Sequence, residues 1–544
     1  MGQNVTAEGC AGLTHGGQGH AAAQERDRNA APAGVELAIA NPRLTAHIYH
    51  DGQTHYASVG PLPADGAYAP TLHYVGSLPP IFPEWLGDPG FRNAHHLRFA
   101  YVGGEMARGI ASAQMVIAFG RAGMLGFLGA AGLGPAVVAD AVRTIRADLD
   151  PAGLPWGVNL IHSPDEPELE SHLVDVFLAE GVSCVSASAF MKLSSDVVRF
   201  SASGLQRLPD GRIGRATSVF AKVSRPEVAE QFMGPAPHPM LRNLVSAGSI
   251  TPAQADMAAL VPVAGDITAE ADSGGHTDNR PLPALLPTLI DLREELSTRF
   301  GFAVRIGAAG GLGTPGAIAG AFAMGADYVL TGSVNQSAIE AGLAPAAKRM
   351  LADLQLADTM MAPSADMFEL GVKVQVVRRG TLFGPRAQRL YEIYRAYGGI
   401  DDIPVAVREG LERDLFRTPI VEVWRQTEAF FHARKPAEVA RAARDPKHRM
   451  ALIFRWYLGK SSQWPIIGEE DRRLDYQLWC GPAMASFNTW VAGSFLEPIE
   501  SRTVAQIGLN LMEGATVITR AQQLRALGVK VPSSAFQFTP RPIS

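Results

Sequence analysis

An α/β fold, a (β/α)8 TIM barrel followed by a C-terminal helical lid or substrate domain, is what this 544-residue sequence predicts, on three observations. First, residues 303–336, AVRIGAAGGLGTPGAIAGAFAMGADYVLTGSVNQ, read as strand, glycine turn, helix, strand, glycine turn. Second, from Phe99 onward strands and helices alternate about eight times in about 250 residues, the size of such a barrel. Third, the alternation stops after residue 345 and gives way to helical segments. A doubly wound sheet is disfavoured, because no GxGxxG with an acidic partner about 20 residues on follows the first strand.

Taken in order, residues 1–35 are rich in Gly, Ala and polar residues (GGQGHAAAQERDRNAAPAG) and are expected to be a disordered leader. Residues 36–97 form an N-terminal segment expected to pack on the barrel. In it VELAIA and HIYHDGQTHYASVG read as short strands, with a turn at Asp51-Gly52, and LPPIFPEWLGD is proline-broken. The barrel spans 98–345. Its strands are FAYVGG, MLGFLGAAG, WGVNLI, VSCVSAS, SVFAKVS, DITAEAD, the apolar run 303–309, and 328–330. A hairpin is expected around Pro209-Asp210-Gly211, and a helix start at Thr251-Pro252. Segments 386–397, 403–413, 418–433, 436–443 and 502–527 read as helices of a domain over 346–530, with a tail at 531–544.

The composition excludes several classes. A net charge of −5 gives no case for nucleic acid as the main partner. Cys10, Cys184 and Cys480 lie far apart and form no CxxC, so neither a disulfide framework nor a structural zinc is expected, and no metal site is read. Cys184 and Cys480 read as inert core. No apolar run reaches the ~18 residues that a membrane span needs. The start lacks the charged and apolar regions of a signal peptide, and a cytoplasmic location is expected.

Chemistry concentrates at strand ends. Glycine turns close the first, second, sixth, seventh and eighth strands. In a barrel of this type the loops after the last two strands hold phosphate, where bare N–H groups and a helix start favour an anion. One phosphate does not need five glycine turns. A flat cofactor lying across the barrel mouth needs close backbone approach on several sides, and flavin mononucleotide suits that shape. His276 follows two glycines in a strand-end loop, a poor place for a core histidine. Lys222 lies on an apolar strand and needs a partner, either a cofactor or an inter-strand salt bridge. Asp272, Asp278 and Arg280 crowd His276 in sequence.

YVGGEMARGIAS, GRAGMLGFLGAAGL, GVNLIHSPDEPELE, EADSGGHTDNRPL, MFELGVKVQVVRRGTLF, MALIFRWYLG and RRLDYQLWCGPAMASFN resemble the PfaD family, over about residues 78–530. These are trans-acting enoyl reductases of polyketide and polyunsaturated fatty acid synthases, related to FMN-dependent nitronate monooxygenase-like barrels. The resemblance implies FMN as cofactor, NADPH or NADH as hydride donor, and acyl carrier protein domains as partners. It implies that Gly104 and Met106 line the flavin, and that Asn159 and Lys222 bond its ring. Ser273, Gly274 and Gly275 approach the ring, while Ala309, Gly310, Gly311, Gly332 and Ser333 cradle the phosphate. His276 matches the acid–base histidine, with Lys222 as an alternative proton donor. One departure stands out: a small residue is expected between Gly104 and Met106, and this chain has Glu105. Competing readings are a nitronate monooxygenase-like flavin oxidase and a flavin-loaded protein that only docks on a synthase. Exposed basic residues such as Arg472-Arg473 are the expected contact for an acidic carrier protein. The oligomeric state is left open, a homodimer included.

Overall fold

The structure is a computed structural model that describes residues 33–62, 71–163 and 166–544. The expected leader, with Cys10, lies outside these residues except at its end, where Ala33–Gly34 pairs with Tyr56 and Ala57. The chain divides into two compact units. One runs to Phe82 and takes in Thr516–Phe538; the other holds Pro83–Ala515 and Thr539–Ser544.

In the first unit the expected hairpin is present as Ala46–His50 and His55–Val59. Asp51 shapes its turn by accepting from the N–H groups of Gln53 (2.8 Å) and Thr54 (2.7 Å). The segment read as a first strand is instead a short helix, Glu36–Ala40. Its apolar run is too short for periodicity to decide between helix and strand. Burial of Ala38 and Ile39 against Val517, Ala521 and Leu524 favours the helix, and the Asn41 side chain closes it by donating to Leu37 O (2.9 Å). Arg520, fully buried, donates to the carbonyls of Pro42 and Pro79.

The second unit contains a closed ring of eight parallel strands. In chain order these are β1 (Tyr101–Gly103), β2 (Leu125–Leu128), β3 (Gly157–Ile161), β4 (Cys184–Ser188), β5 (Ser218–Val223), β6 (Asp266–Glu270), β7 (Arg305–Ala309) and β8 (Tyr328–Thr331). Helices follow the strands as the sequence predicts, and the closed ring excludes the doubly wound alternative. A helix before β1, Pro89–His95, packs at the N-terminal end of the ring. Its Asp88 cap accepts from Gly90 and Phe91 N–H, Pro89 sits in the first turn, and His96 leaves in the left-handed region. Phe91, fully buried, stacks on Tyr328 with ring centroids 4.3 Å apart. His95 and Arg305 both bond Asp266, at 2.9 and 2.6 Å, where β6 and β7 begin. That end is filled, so the functional mouth is the opposite one, where the strands end.

Beyond the barrel the expected helices appear as Phe383–Ala396, Val405–Leu411, Ile420–Arg434, Pro436–Ala442 and Val504–Ala526. The sequence reading missed the helix Pro446–Ile467, the helix Ala483–Val491 and the antiparallel hairpin Thr359–Pro363/Lys373–Val377. The first of these is buried on most sides, covering His448, Ser461 and Ser462 as well as Met450, Leu452, Phe454, Tyr457, Leu458 and Trp464, so it shows no single apolar stripe.

Arg472 is not the free surface charge that was expected. It donates to Leu415 O (2.6 Å) and to Phe416 O, pairs with Asp475 (3.3 Å) and lies over the Trp464 ring (4.6 Å). Arg473 remains exposed. Asp475 is fully buried, and also takes Arg386 and the Tyr457 hydroxyl (2.7 Å). Asp475→Ala leaves two guanidinium groups without their carboxylate. We expect it to destabilise this region by ~3–5 kcal/mol, the usual cost of breaking a buried charge cluster from one side. Urea unfolding followed by tryptophan fluorescence checks this; a loss below ~1 kcal/mol contradicts it.

Candidate active site

The mouth is built from strand ends and the loops after them. Gly104 N–H bonds Thr331 O (2.8 Å), and a Cβ at Gly104 would lie 2.5 Å from the Leu330 side chain, so the first loop hugs β8. Met106 follows and is buried; a Cβ at Gly129 would fall 1.8 Å from Met106 O, which is why the second strand also ends in glycine. Asn159 is buried on β3, and its amide donates to Ser186 O (3.0 Å) and Ser188 Oγ (2.8 Å), leaving its carbonyl oxygen as an acceptor.

Lys222, on β5, sits between two carboxylates, Glu105 Oε1 and Glu270 Oε1, each at 3.1 Å. The structure thus gives Lys222 the salt bridges that were weighed against a cofactor contact. Burial alone disfavours the ammonium, but the two carboxylates outweigh it and hold its pKa above the ordinary lysine value. Neither Glu105 nor Glu270 was singled out as a site residue; Glu105 was noted only as a departure.

His276 follows β6, as expected. Its Nε2 lies 3.3 Å from Asp366 Oδ2 and 3.3 Å from Ser364 Oγ, both from the hairpin region after the barrel. Burial lowers the imidazole's pKa, but the hydrogen bond and charge of Asp366, with help from Glu270, raise it above the ordinary value. Asp366 is correspondingly held well below the usual carboxylate range, mainly by His276 acting against burial. Of the charged residues beside His276 in sequence, Asp278 turns elsewhere, to Arg225 (2.8 Å) and Ser224 (2.6 Å), while the Asp272 and Arg280 backbones pair with each other (Asp272 N–H to Arg280 O, 2.9 Å). Asp366 is ninety positions along the chain from His276, and nothing local announces it.

The glycines before His276 serve a contact not foreseen. A Cβ on Gly274 would lie 2.8 Å from the Cys480 backbone, and one on Gly481 would lie 2.9 Å from Gly274 N. Gly275 and Gln375 exchange backbone hydrogen bonds (3.0 and 2.7 Å), and Val376 bridges to Trp479. Ser273 Oγ reaches Glu270 at 3.4 Å. Cys480 is core, as expected, with its thiol pushed up to about 12 by burial, and Cys184 is buried at the start of β4.

At the last two strand ends the glycines differ from one another. Gly310 (φ +91°) is packed on Ala271, and its neighbour Ala309 accepts from Ala271 N–H (2.9 Å). Among the described residues, a Cβ at Gly311 or Gly332 meets nothing within 4 Å. Ser333 Oγ accepts from Gly481 N–H (3.1 Å). The residues present fit a phosphate-bearing flat group. Open space adjoins two glycines where β7 and β8 end, and Glu105 Oε2 and Ser186 Oγ are buried without hydrogen-bond partners among the described residues. Among those residues, too, no cluster could hold a metal ion, and no helix is long and apolar enough to cross a membrane.

Residues 397–476 match the family model of the inserted helical domain of [acyl-carrier-protein] S-malonyltransferase. The chain is 37% identical to the crystal structure of the enoyl reductase domain of MlnA, from the macrolactin biosynthesis cluster of Bacillus amyloliquefaciens. That match covers 81% of this chain and 99% of that one, with a TM-score of 0.77. The polyketide biosynthesis protein PksE of Bacillus subtilis (strain 168) is 42% identical over 440 residues, which is 80% of this chain and 57% of that one. The polyketide biosynthesis protein ThaF of Burkholderia thailandensis is 43% identical over 455 residues, which is 83% of this chain and 39% of that one. The chain therefore spans less than two thirds of the length of these two curated relatives.

Proposed function

The chain belongs to the PfaD family of enoyl reductases associated with polyketide and polyunsaturated fatty acid synthases, and from that premise we propose that it reduces the 2,3-double bond of enoyl thioesters carried in trans on acyl carrier protein domains. FMN is the bound cofactor and NADPH or NADH the hydride donor. One observation carries this reading: a glycine cradle open to a ligand and a histidine paired with a carboxylate meet at the mouth of one barrel.

FMN, when bound, supplies hydride transfer to the β-carbon. The remaining work falls to the chain. Ala309, Gly310, Gly311, Gly332 and Ser333 hold the phosphate with backbone groups. Gly104 and Met106 would flank the ring, the Asn159 carbonyl would be free to accept from it, Lys222 would lie beside it, and Ser273 to Gly275 would shape the loop facing it. His276 protonates the α-carbon, or stabilises the thioester oxygen as charge develops there, and Asp366 keeps the imidazole protonated for that task. Trp479 to Gly481 and the hairpin strand Lys373–Val377 brace this loop and keep water from the reacting carbons.

The purified protein is expected to show flavin absorption bands and to oxidise NADPH or NADH when given a crotonyl thioester. A colourless protein, or oxygen uptake with a nitronate and none of this turnover, refutes the reading; the second outcome favours a nitronate monooxygenase-like oxidase instead. Bound flavin that NADPH fails to bleach anaerobically would leave a protein that only docks.

A further inference from the structure

In the closed ring β1 and β5 are separated by three strands on either side, so they face each other across the barrel axis. Glu105 lies just past the end of β1 and Lys222 lies on β5, yet their side chains meet at 3.1 Å. This bridge spans the mouth instead of linking neighbours. The second partner of Lys222, Glu270, comes from the adjacent strand β6. The Glu105 side chain is only 3% exposed, and its Oε2 accepts no hydrogen bond from the described residues. Lys222 and Glu270 alone would form a neutral pair. With Glu105 the trio carries one net negative charge, little screened by solvent, at the place where the cofactor is proposed to bind.

We infer that Glu105 sets the reduction potential of the flavin at this mouth, holding it below the value that the Lys222–Glu270 pair would give by itself. The inference rests on the reading that the chain binds FMN. Uptake of a hydride equivalent brings two electrons and one proton to a neutral ring and leaves one negative charge on it unless a second proton follows. A fixed negative charge nearby disfavours that state. The reduced cofactor then gives up hydride to an enoyl thioester more readily, and takes it from a nicotinamide less readily. A small residue at 105, which the family resemblance leads one to expect, lacks this control.

The test is a spectroscopic redox titration of the flavin-loaded protein against reference dyes. Glu105→Gln keeps the shape and can still bond Lys222 but removes the charge. Its potential should rise by about 30 mV or more, a tenfold change in the equilibrium of a two-electron couple. Glu105→Ala should move the same way, and Glu105→Asp should stay near the wild type. An unmoved or lowered potential in Glu105→Gln overturns the inference. So does loss of flavin from both Glu105→Gln and Glu105→Ala, since Glu105 would then build the pocket instead of tuning it. A wild-type protein that takes up no FMN overturns the cofactor reading itself, and is distinguishable because no titration can then begin.

Discussion

An alanine at position 276 is expected to leave flavin content and reduction by NADPH unchanged, and to slow reoxidation by an enoyl thioester roughly 10²–10⁴-fold. Hydride addition at the β-carbon leaves enolate character on the thioester, so only this half-reaction needs a proton donor. His276 is placed for it by β6 and by Asp366, 3.3 Å from its Nε2. The direction of its pKa gives the pH dependence. Burial lowers it, Asp366 and Glu270 raise it further, and the net shift is upward from the ordinary ~6.5. The donor form therefore persists above the usual imidazole range, and the oxidative half-reaction should fall as pH rises through that raised value. Asp366→Asn should move the fall to lower pH. The same sign governs stability: the pair's contribution is complete between the unfolded carboxylate and imidazole pKa values, is lost as pH rises through the raised pKa of His276, and is lost at the acid end as pH falls through the lowered pKa of Asp366. With the His276 side chain 43% exposed, solvent keeps that contribution small. Stopped-flow measurement of both half-reactions decides the matter. An unimpaired oxidative half-reaction in His276→Ala removes the histidine from the proton transfer.

Gly332→Asp is expected to yield a folded protein that retains little or no FMN. Gly332 has φ −119°, outside the left-handed region that favours glycine, and a Cβ there meets no described atom within 4 Å. The substitution should thus cost the fold little while placing a carboxylate where the phosphate is proposed to bind. Gly311 is a poorer choice, because its φ of +73° would strain any side chain. Flavin content by absorbance, with circular dichroism to check the fold, reads the outcome; near-full retention in the aspartate variant rules out this phosphate site.

The barrel was legible because each strand is a short apolar run ended by glycine or a polar loop, and helices begin with a proline or a capping residue, as at Thr251 and Thr314. Local chemistry of this kind is written into adjacent residues. The hairpin strand Lys373–Val377 had its own signal, the alternation in KVQVV, which a helical expectation for the region obscured. The helix Pro446–Ile467 had none, since burial on most sides erases periodicity. At the site, His276 and Lys222 stood out as polar groups in apolar or glycine-rich settings. Their partners did not. Glu105 meets Lys222 only because the ring closes, and Asp366 meets His276 only because the chain returns after the barrel is complete. Pairings made by topology leave no trace in a window of neighbouring residues.

The backbone contact between Gly274 and Gly481 bears on how such enzymes can be cut and recombined. A side chain on Gly274 would run into the Cys480 backbone and one on Gly481 into Gly274 and Ser273, and the two glycines lie more than two hundred positions apart. The loop that carries His276 is therefore shaped by chain that arrives long after the last barrel strand. A boundary drawn behind β8 would separate the histidine from its carboxylate, from the Gln375 bridge and from this interlock together. Exchange between relatives should respect that: a barrel grafted onto a foreign helical half inherits a mismatched mould for its own active loop, so the two halves are transferable only as one piece.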